Sequence, residues 1–270
     1  MRPVWVIKSG VELSEKVVVV TGGANGIGAA MVRRFAAEGA RVAIGDLDLK
    51  QAGRVAAEVG GVAVETDVAR EDDVVRLIEV SEAQLGPIDL FCANAGIAFA
   101  GDEQTPDADW ERMWRVNFLS HVYAARHLVP RWQTRGGGYL LVTASAAGLL
   151  TNLGAAQYTV TKHAAVAWAE WLSITYAQHG IKVSCLCPQG VDTAMLEQAG
   201  LMGEVLRATA LSPEQVAAAV VEGLKAERFL ILPHPEVAQY LLNKASDQER
   251  WLEGMRRLNN KVFGTATMEE

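Results

Sequence analysis

Short apolar runs rich in Val, Ile and Leu recur along this chain, and stretches of helical periodicity separate them. A strand with one face in water alternates apolar and polar residues. These runs do not, so both faces of the sheet they build must be covered. The runs are Lys16 to Thr21, Arg41 to Gly45, Val62 to Glu65, Ile88 to Cys92, Tyr139 to Thr143, Lys182 to Cys187 and Phe229 to Leu232. Helical patterns occupy Gly26 to Gly39, Leu49 to Val59, Glu71 to Leu85, Asp107 to Gln133, Ala155 to His179 and Pro213 to Ala226. Pro130 is expected to bend or end its helix. Helical pieces follow around Met195 to Ala210, and a C-terminal helix is expected from about Glu236 to Leu258. The succession predicts an α/β fold, a doubly wound parallel sheet of about seven strands in a three-layer αβα sandwich. No repeat or linker interrupts it. Residues 1–270 therefore read as one domain, with a core at about 15–232 and a fraying tail at 264–270.

Charge and composition exclude several classes. A formal net charge of −7 argues against a phosphate-backbone binder, so no nucleic-acid partner is expected. No apolar run is long enough to span a bilayer, and no membrane partner is expected. Met1 to Gly10 has no sustained apolar core or small-residue cleavage pattern, and reads as no signal peptide. The three cysteines, Cys92, Cys185 and Cys187, lie in apolar runs without metal-ligand spacing, which fits buried thiols in a reducing cytoplasm. No metal site is expected. His163 follows Lys162 and points to a different face of the helix; His121, His127, His179 and His234 show no ligand or triad pattern and read as structural. Arg256 and Arg257 read as a solvated pair.

Thr21-Gly22-Gly23-Ala24-Asn25-Gly26-Ile27-Gly28 joins the first strand to the first helix. Glycines let the backbone turn sharply and approach a ligand, and the helix N-terminus then offers free N–H groups to a pyrophosphate. Gly22, Asn25, Gly26, Ile27 and Gly28 are the candidate cofactor contacts here, in a Rossmann-type arrangement. Asp46 ends the second strand about twenty residues on, where a carboxylate accepts ribose hydroxyls and repels a 2′-phosphate. Leu47 follows, with no Arg or Lys in the turn or directly after Asp46, so NAD(H) is expected over NADP(H). The alternative is a surface Asp opening the next helix. Asp67 and Val68 follow the third strand; Asp67 can reach an adenine edge or cap the next helix.

Tyr158 and Lys162 stand four residues apart on one face of a predicted helix. An ammonium beside a phenol favours the phenolate and eases proton exchange near neutral pH, although the spacing alone is common. Ser145 lies just past a strand end, at the carboxyl edge where open α/β sheets bind ligands. Its hydroxyl can donate to a carbonyl oxygen as charge develops; otherwise it is a turn residue. With Asn94-Ala95-Gly96 and Trp114-Arg115-Val116-Asn117 in the same chain order, the sequence resembles the short-chain dehydrogenase/reductase family from about Glu15 to Phe229.

The resemblance implies a catalytic set of Asn117, Ser145, Tyr158 and Lys162. Tyr158 would be the general acid/base. Lys162 would also reach the nicotinamide ribose, and Asn117 would hold a water linking Lys162 to solvent. It further implies cofactor contacts from Asn94, Ala95, Gly96, Tyr158, Lys162, Pro188, Gly190, Val191 and Thr193. Gln189 stands where the family usually has Gly after Pro188, which bears on the loop beside the nicotinamide and on substrate preference. A substrate lid is implied at about 192–211. Ser145, Tyr158, Gln189, Met195 and Leu196 are the candidate substrate contacts. Apolar residues in the lid, with Leu149 and Leu150, favour a hydrophobic alcohol or ketone; an ordinary amphipathic stripe is the alternative.

Trp168 and Trp171, with Ala164 and Thr175, form a stripe turned away from Tyr158. The family commonly pairs such helices between subunits, so a homo-oligomer, dimer or homotetramer, is expected, with the helix ending near Gln133 as neighbour. The leading expectation is a cytoplasmic NAD-dependent oxidoreductase interconverting a secondary alcohol and a ketone. A nicotinamide-binding sensor or scaffold without useful catalysis is the alternative, although binding alone does not need all four groups. A nucleotide-sugar epimerase or dehydratase fits less well, given the glycine spacing and the modest C-terminal region.

Overall fold

The computed structural model describes residues 12–264. The Met1 to Gly10 segment and residues 265–270 of the tail expected to fray lie outside the described residues. Seven parallel strands form one sheet in the order β3-β2-β1-β4-β5-β6-β7. They are β1 (Val17–Thr21), β2 (Arg41–Asp46), β3 (Val62–Glu65), β4 (Leu90–Ala93), β5 (Gly138–Thr143), β6 (Ile181–Leu186) and β7 (Leu230–Ile231). The crossovers are α1 (Gly26–Ala37), α2 (Leu49–Val59), α3 (Glu71–Leu85), α4 (Asp107–Trp114), α5 (Ser120–Arg135), α6 (Ala156–Tyr176) and α9 (Pro213–Lys225). Two short helices, α7 (Ala194–Glu197) and α8 (Gly200–Arg207), precede α9, and α10 (Glu236–Ser246) and α11 (Gln248–Phe263) follow β7.

Each β1 valine enters a core, which is why the run carries no polar alternation. Val18 and Val20 pack with Met31 and Phe35 of α1, Val55 of α2 and Val220 of α9. Val17 and Val19 face the other way, towards Leu77 of α3, Leu128 of α5 and Ala165 of α6. Burying a side chain of this size stabilises the fold by about 1.5–3 kcal/mol. The strand order reverses between β1 and β4, and the loops at that switch point open at the carboxyl edge.

Pro130 does not end its helix: α5 continues to Arg135. The carbonyl deprived of its partner belongs to Arg126, and both Arg126 and Pro130 are exposed. Leu128, Val129 and Trp132 are buried on the opposite side and hold the helix down. Between α4 and α5 the backbone widens into a π-turn, Arg115–Leu119.

The expected single C-terminal helix is two helices. Asp247 is extended (φ −153°, ψ 91°), and its side chain accepts the Arg250 N–H at 3.0 Å, opening α11. An Asp at a cap competes with continued helix for the backbone donor. The break lets Trp251 pack with Ala146, Leu150 and Val237. Lys244 Nζ donates to the Leu149 and Leu150 carbonyls at 2.9 and 3.0 Å. The segment 192–210 is pinched at its base, where Val191 bridges Leu211.

Asp247→Ala removes this cap and should cost about 1 kcal/mol in urea unfolding, with faster amide exchange in the first turn of α11 than elsewhere.

Candidate active site

The glycine turn follows β1 and is tied to its neighbours by backbone polar groups. Gly28 sits so close to the turn that an added Cβ would lie 2.0 Å from the Gly22 carbonyl oxygen. No side chain fits there. Asn25 occupies the N-cap position of α1 without a side-chain cap, and the helix N-terminus starts at Gly26 with Ile27 and Gly28 in its first turn. Asp46 accepts the Ala24 N–H at 2.9 Å with Oδ2 and the Asp48 N–H at 3.0 Å with Oδ1. Its carboxylate therefore braces the turn, and each oxygen retains further acceptor capacity. Leu47 beside it is 68% exposed.

Thr21, which the sequence reading passed over, joins the turn to the end of β4. Its Oγ1 accepts the Asn94 and Ala95 N–H groups at 2.9 and 3.1 Å. Asn94 Nδ2 donates to the Thr21 carbonyl at 3.0 Å. A Cβ built on Gly26 would lie 3.1 Å from Thr193 Cγ2, so the loop after β6 touches the same turn. Pro188, Gly190 and Val191 of that loop are buried. Asp67 accepts the Ala69 N–H of its own turn at 3.0 Å with one carboxylate oxygen, and the Val68 side chain lies in the core.

Asn117 falls inside the π-turn and is fully buried. Its carboxamide pairs with Ile97 like a strand: Oδ1 accepts the Ile97 N–H at 2.8 Å and Nδ2 donates to the Ile97 carbonyl at 2.9 Å. Nδ2 also donates to Thr161 Oγ1 at 3.3 Å, tying α5's approach to α6. Gly96 leaves room at the junction, where an added Cβ would meet Asn117 Oδ1 at 3.3 Å and Lys162 Nζ at 3.4 Å.

Lys162 is 3% exposed and donates to the Thr143 carbonyl at 2.9 Å. Its Nζ lies 5.7 Å from the Tyr158 ring centroid. Burial lowers its ammonium to about 8, with the nearby Cys185 and Cys187 thiols opposing. The expected lowering of the Tyr158 phenol is not the net effect: burial raises it, and Ser145 beside it opposes the rise. A charge in dry surroundings is penalised, which raises the phenol and lowers the ammonium.

Ser145 is 8% exposed; its Oγ accepts the Ala147 N–H at 3.1 Å and donates to the Pro188 carbonyl at 3.4 Å. Ser145, Tyr158, Lys162, Asn117, Asn94 to Gly96 and Pro188 thus meet at one carboxyl edge, with the glycine turn and Asp46 along it. Gln189 is partly buried beside Pro188, and its Oε1 is buried without a partner. Leu196 folds against α8, its carbonyl 2.4 Å from where a Gly203 Cβ would be, and Met195 is 39% exposed. Among the described residues no cluster of His, Cys, Asp and Glu could hold a metal, and no helix is long and apolar enough to cross a membrane.

A parallel doubly wound sheet with a glycine turn at its switch point defines a Rossmann-type fold, and a Ser–Tyr–Lys group lies on the same edge. The sequence profile described as short chain dehydrogenase matches residues 16–202. The 1-deoxy-11-beta-hydroxypentalenate dehydrogenase of Streptomyces exfoliatus is 35% identical over 244 residues, 87% of this chain and 89% of that protein. Momilactone A synthase of Oryza sativa subsp. japonica is 33% identical over 255 residues, covering 90% of this chain and 88% of that one. A solved short chain dehydrogenase/reductase from Burkholderia phymatum in complex with NAD superposes with a TM-score of 0.81 at 25% identity, over 88% of this chain and 96% of that one. The chain belongs to the short-chain dehydrogenase/reductase family.

Because Lys162 is lowered from 10.5 to about 8, the folded state binds fewer protons than the unfolded state between those values. The burial penalty is complete below about pH 8 and fades as pH rises to 10.5. Wild type should therefore gain stability relative to Lys162→Met between pH 8 and 10, read from urea midpoints.

Proposed function

We propose that this chain is an NAD(H)-dependent oxidoreductase that interconverts a hydrophobic secondary alcohol and its ketone. The observation that carries the reading is the convergence of Ser145, Tyr158 and Lys162 at the edge that also holds the glycine turn. The residues there fit a nicotinamide dinucleotide: a helix N-terminus without a side-chain cap at Asn25, a backbone at Gly28 that no Cβ would allow, and a carboxylate at Asp46. Such a cofactor supplies or accepts the hydride. Gly22, Asn25, Gly26, Ile27 and Gly28 would hold its pyrophosphate, and Asp46 its adenosine ribose. Asp67, Val68 and Leu47 would flank the adenine. Asn94, Ala95 and Gly96, with Pro188, Gly190, Val191 and Thr193, would border the nicotinamide half.

In oxidation, Tyr158 removes the hydroxyl proton of the alcohol; in reduction it returns that proton to the ketone oxygen. Ser145 donates to the same oxygen and orients it. Lys162, held by the Thr143 carbonyl, supports the phenolate when charged and would donate to the ribose of a bound cofactor. Asn117 commits its carboxamide to Ile97 and Thr161, so it fixes the wall of the site. Gln189, Met195 and Leu196 belong to the substrate side. Leu149, Leu150, Leu232 and Trp251 supply an apolar wall near Ser145, which favours a hydrophobic substrate. The Streptomyces relative is named for dehydrogenating a hydroxy compound, and the Burkholderia structure binds NAD, which supports both halves of the reading.

The reading extends to a homo-oligomer, dimer or tetramer, in the cytoplasm. Trp171 is 50% and Ile174 73% exposed, and Trp168 stacks on Trp171 with centroids 5.4 Å apart. A face of this kind on α6 is suited to a second copy.

Tyr158→Phe should lower turnover of hydrophobic secondary alcohols by about 10²–10⁴-fold while NADH binding, followed by fluorescence, stays intact. Turnover at the wild-type rate would refute Tyr158 as the proton carrier. NADH should bind more tightly than NADPH, and Asp46→Ala should narrow that gap; NADPH binding as well as NADH would overturn the role of Asp46.

A further inference from the structure

We propose that His234 is a positioning residue for Ser145, acting through the Pro188–Gln189 peptide. The sequence alone gives His234 a structural reading, with His121, His127 and His179. It lies in the connection from β7 to α10 and is 2% exposed. Its Nδ1 accepts the Gln189 N–H at 3.2 Å. A main-chain N–H only donates, so Nδ1 must present its lone pair, and the proton of the neutral ring sits on Nε2.

The same peptide is gripped at its other end. The Pro188 carbonyl accepts the Ala146 N–H at 2.8 Å and the Ser145 hydroxyl at 3.4 Å. Turning the peptide plane would break all three bonds at once. Ser145 Oγ accepts the Ala147 N–H and lies against the Pro188 carbonyl, so this peptide sets where the oxygen sits, and the single Ser145 proton leaves the Pro188 carbonyl when a substrate oxygen accepts it. The position of the Ser145 oxygen therefore depends on a peptide whose far side rests on an imidazole from the C-terminal region.

His234 is itself anchored beside Ser145. Its carbonyl accepts the Val237 N–H at 3.1 Å, and Val237 packs with Ala146 and Leu150. One strand earlier, the Cys187 N–H donates to the Ile231 carbonyl at 3.0 Å. Packing alone gives no reason for an imidazole here, because Nε2 is buried with no partner and an apolar ring would avoid that cost. What the imidazole adds is the Nδ1 acceptor.

The effect on turnover rests on the functional reading above; the peptide grip does not. Three replacements separate the acceptor from the volume. His234→Asn sets a carbonyl oxygen near the Nδ1 position, His234→Gln reaches only the Nε2 position, and His234→Phe keeps a ring without an acceptor. The Phe and Gln variants should lose kcat by about tenfold to a hundredfold, with NADH affinity and melting temperature near wild type, and the Asn variant should recover most of the loss. Long-range proton–nitrogen NMR of the histidine rings gives a readout free of turnover. The resonance that disappears in His234→Asn should report the Nε2–H tautomer. A folded Phe variant with wild-type kcat overturns the proposal, as does an Asn variant as impaired as Phe, or an Nδ1–H tautomer. A wild-type chain that turns over no alcohol overturns the functional reading, and the tautomer then still decides whether His234 holds the peptide.

Discussion

Everything at the candidate site depends on the direction of the strands. Parallel strands can be joined only by crossovers that return the chain to the same starting edge, so all seven carboxyl ends fall on the opposite edge. The backbone groups there have left the ladder and need other partners. Thr21, Asp46, Asn94 and Lys162 supply them: two hold the glycine turn, one stitches β4 to it, and one caps the end of β5. The same side chains that satisfy the sheet's edge therefore bring the glycine turn, the β4 loop and α6 together.

The electrostatics of Tyr158 and Lys162 follow from that packing. In water, a lysine one turn away would favour the phenolate. In the fold, Lys162 is buried against a carbonyl and two thiols, its ammonium is lowered to about 8, and burial raises the phenol. A fold that buries a lysine accepts a stability penalty at neutral pH, and such penalties concentrate where chemistry is done. The π-turn around Asn117 has a similar character. It interrupts a long helix at the position from which a carboxamide can clamp Ile97 and reach α6.

The C-terminal region is where the sequence pattern and the fold part most. A periodic stretch from about Glu236 to Leu258 reads as one helix because periodicity carries no mark for a break that preserves helix on both sides. Asp247 was a visible signal, a cap residue inside the pattern, but its choice between exposed helix residue and cap is made by Trp251 finding a place beside Leu150. Pro130 shows the converse: a strong local breaker is overridden because α5 has Leu128, Val129 and Trp132 anchored in the core.

By itself, the sequence determined the sheet, its crossovers and the glycine turn. Those depend on local periodicity and on residues adjacent in the chain. It also marked Asp46, Ser145, Tyr158 and Lys162, because each stands at a fixed offset from a strand end or on one helix face. Only the tertiary structure decided what each of these groups touches. Asp46 bracing the Ala24 N–H, Asn117 pairing with Ile97 and Asp67 serving its own turn depend on loops that no period describes. His234 is the clearest case: a Pro-His-Pro after the last strand looks like a plain turn. Its meaning comes from the β6–β7 pairing that carries it to the Gln189 N–H, a contact between segments forty-five residues apart.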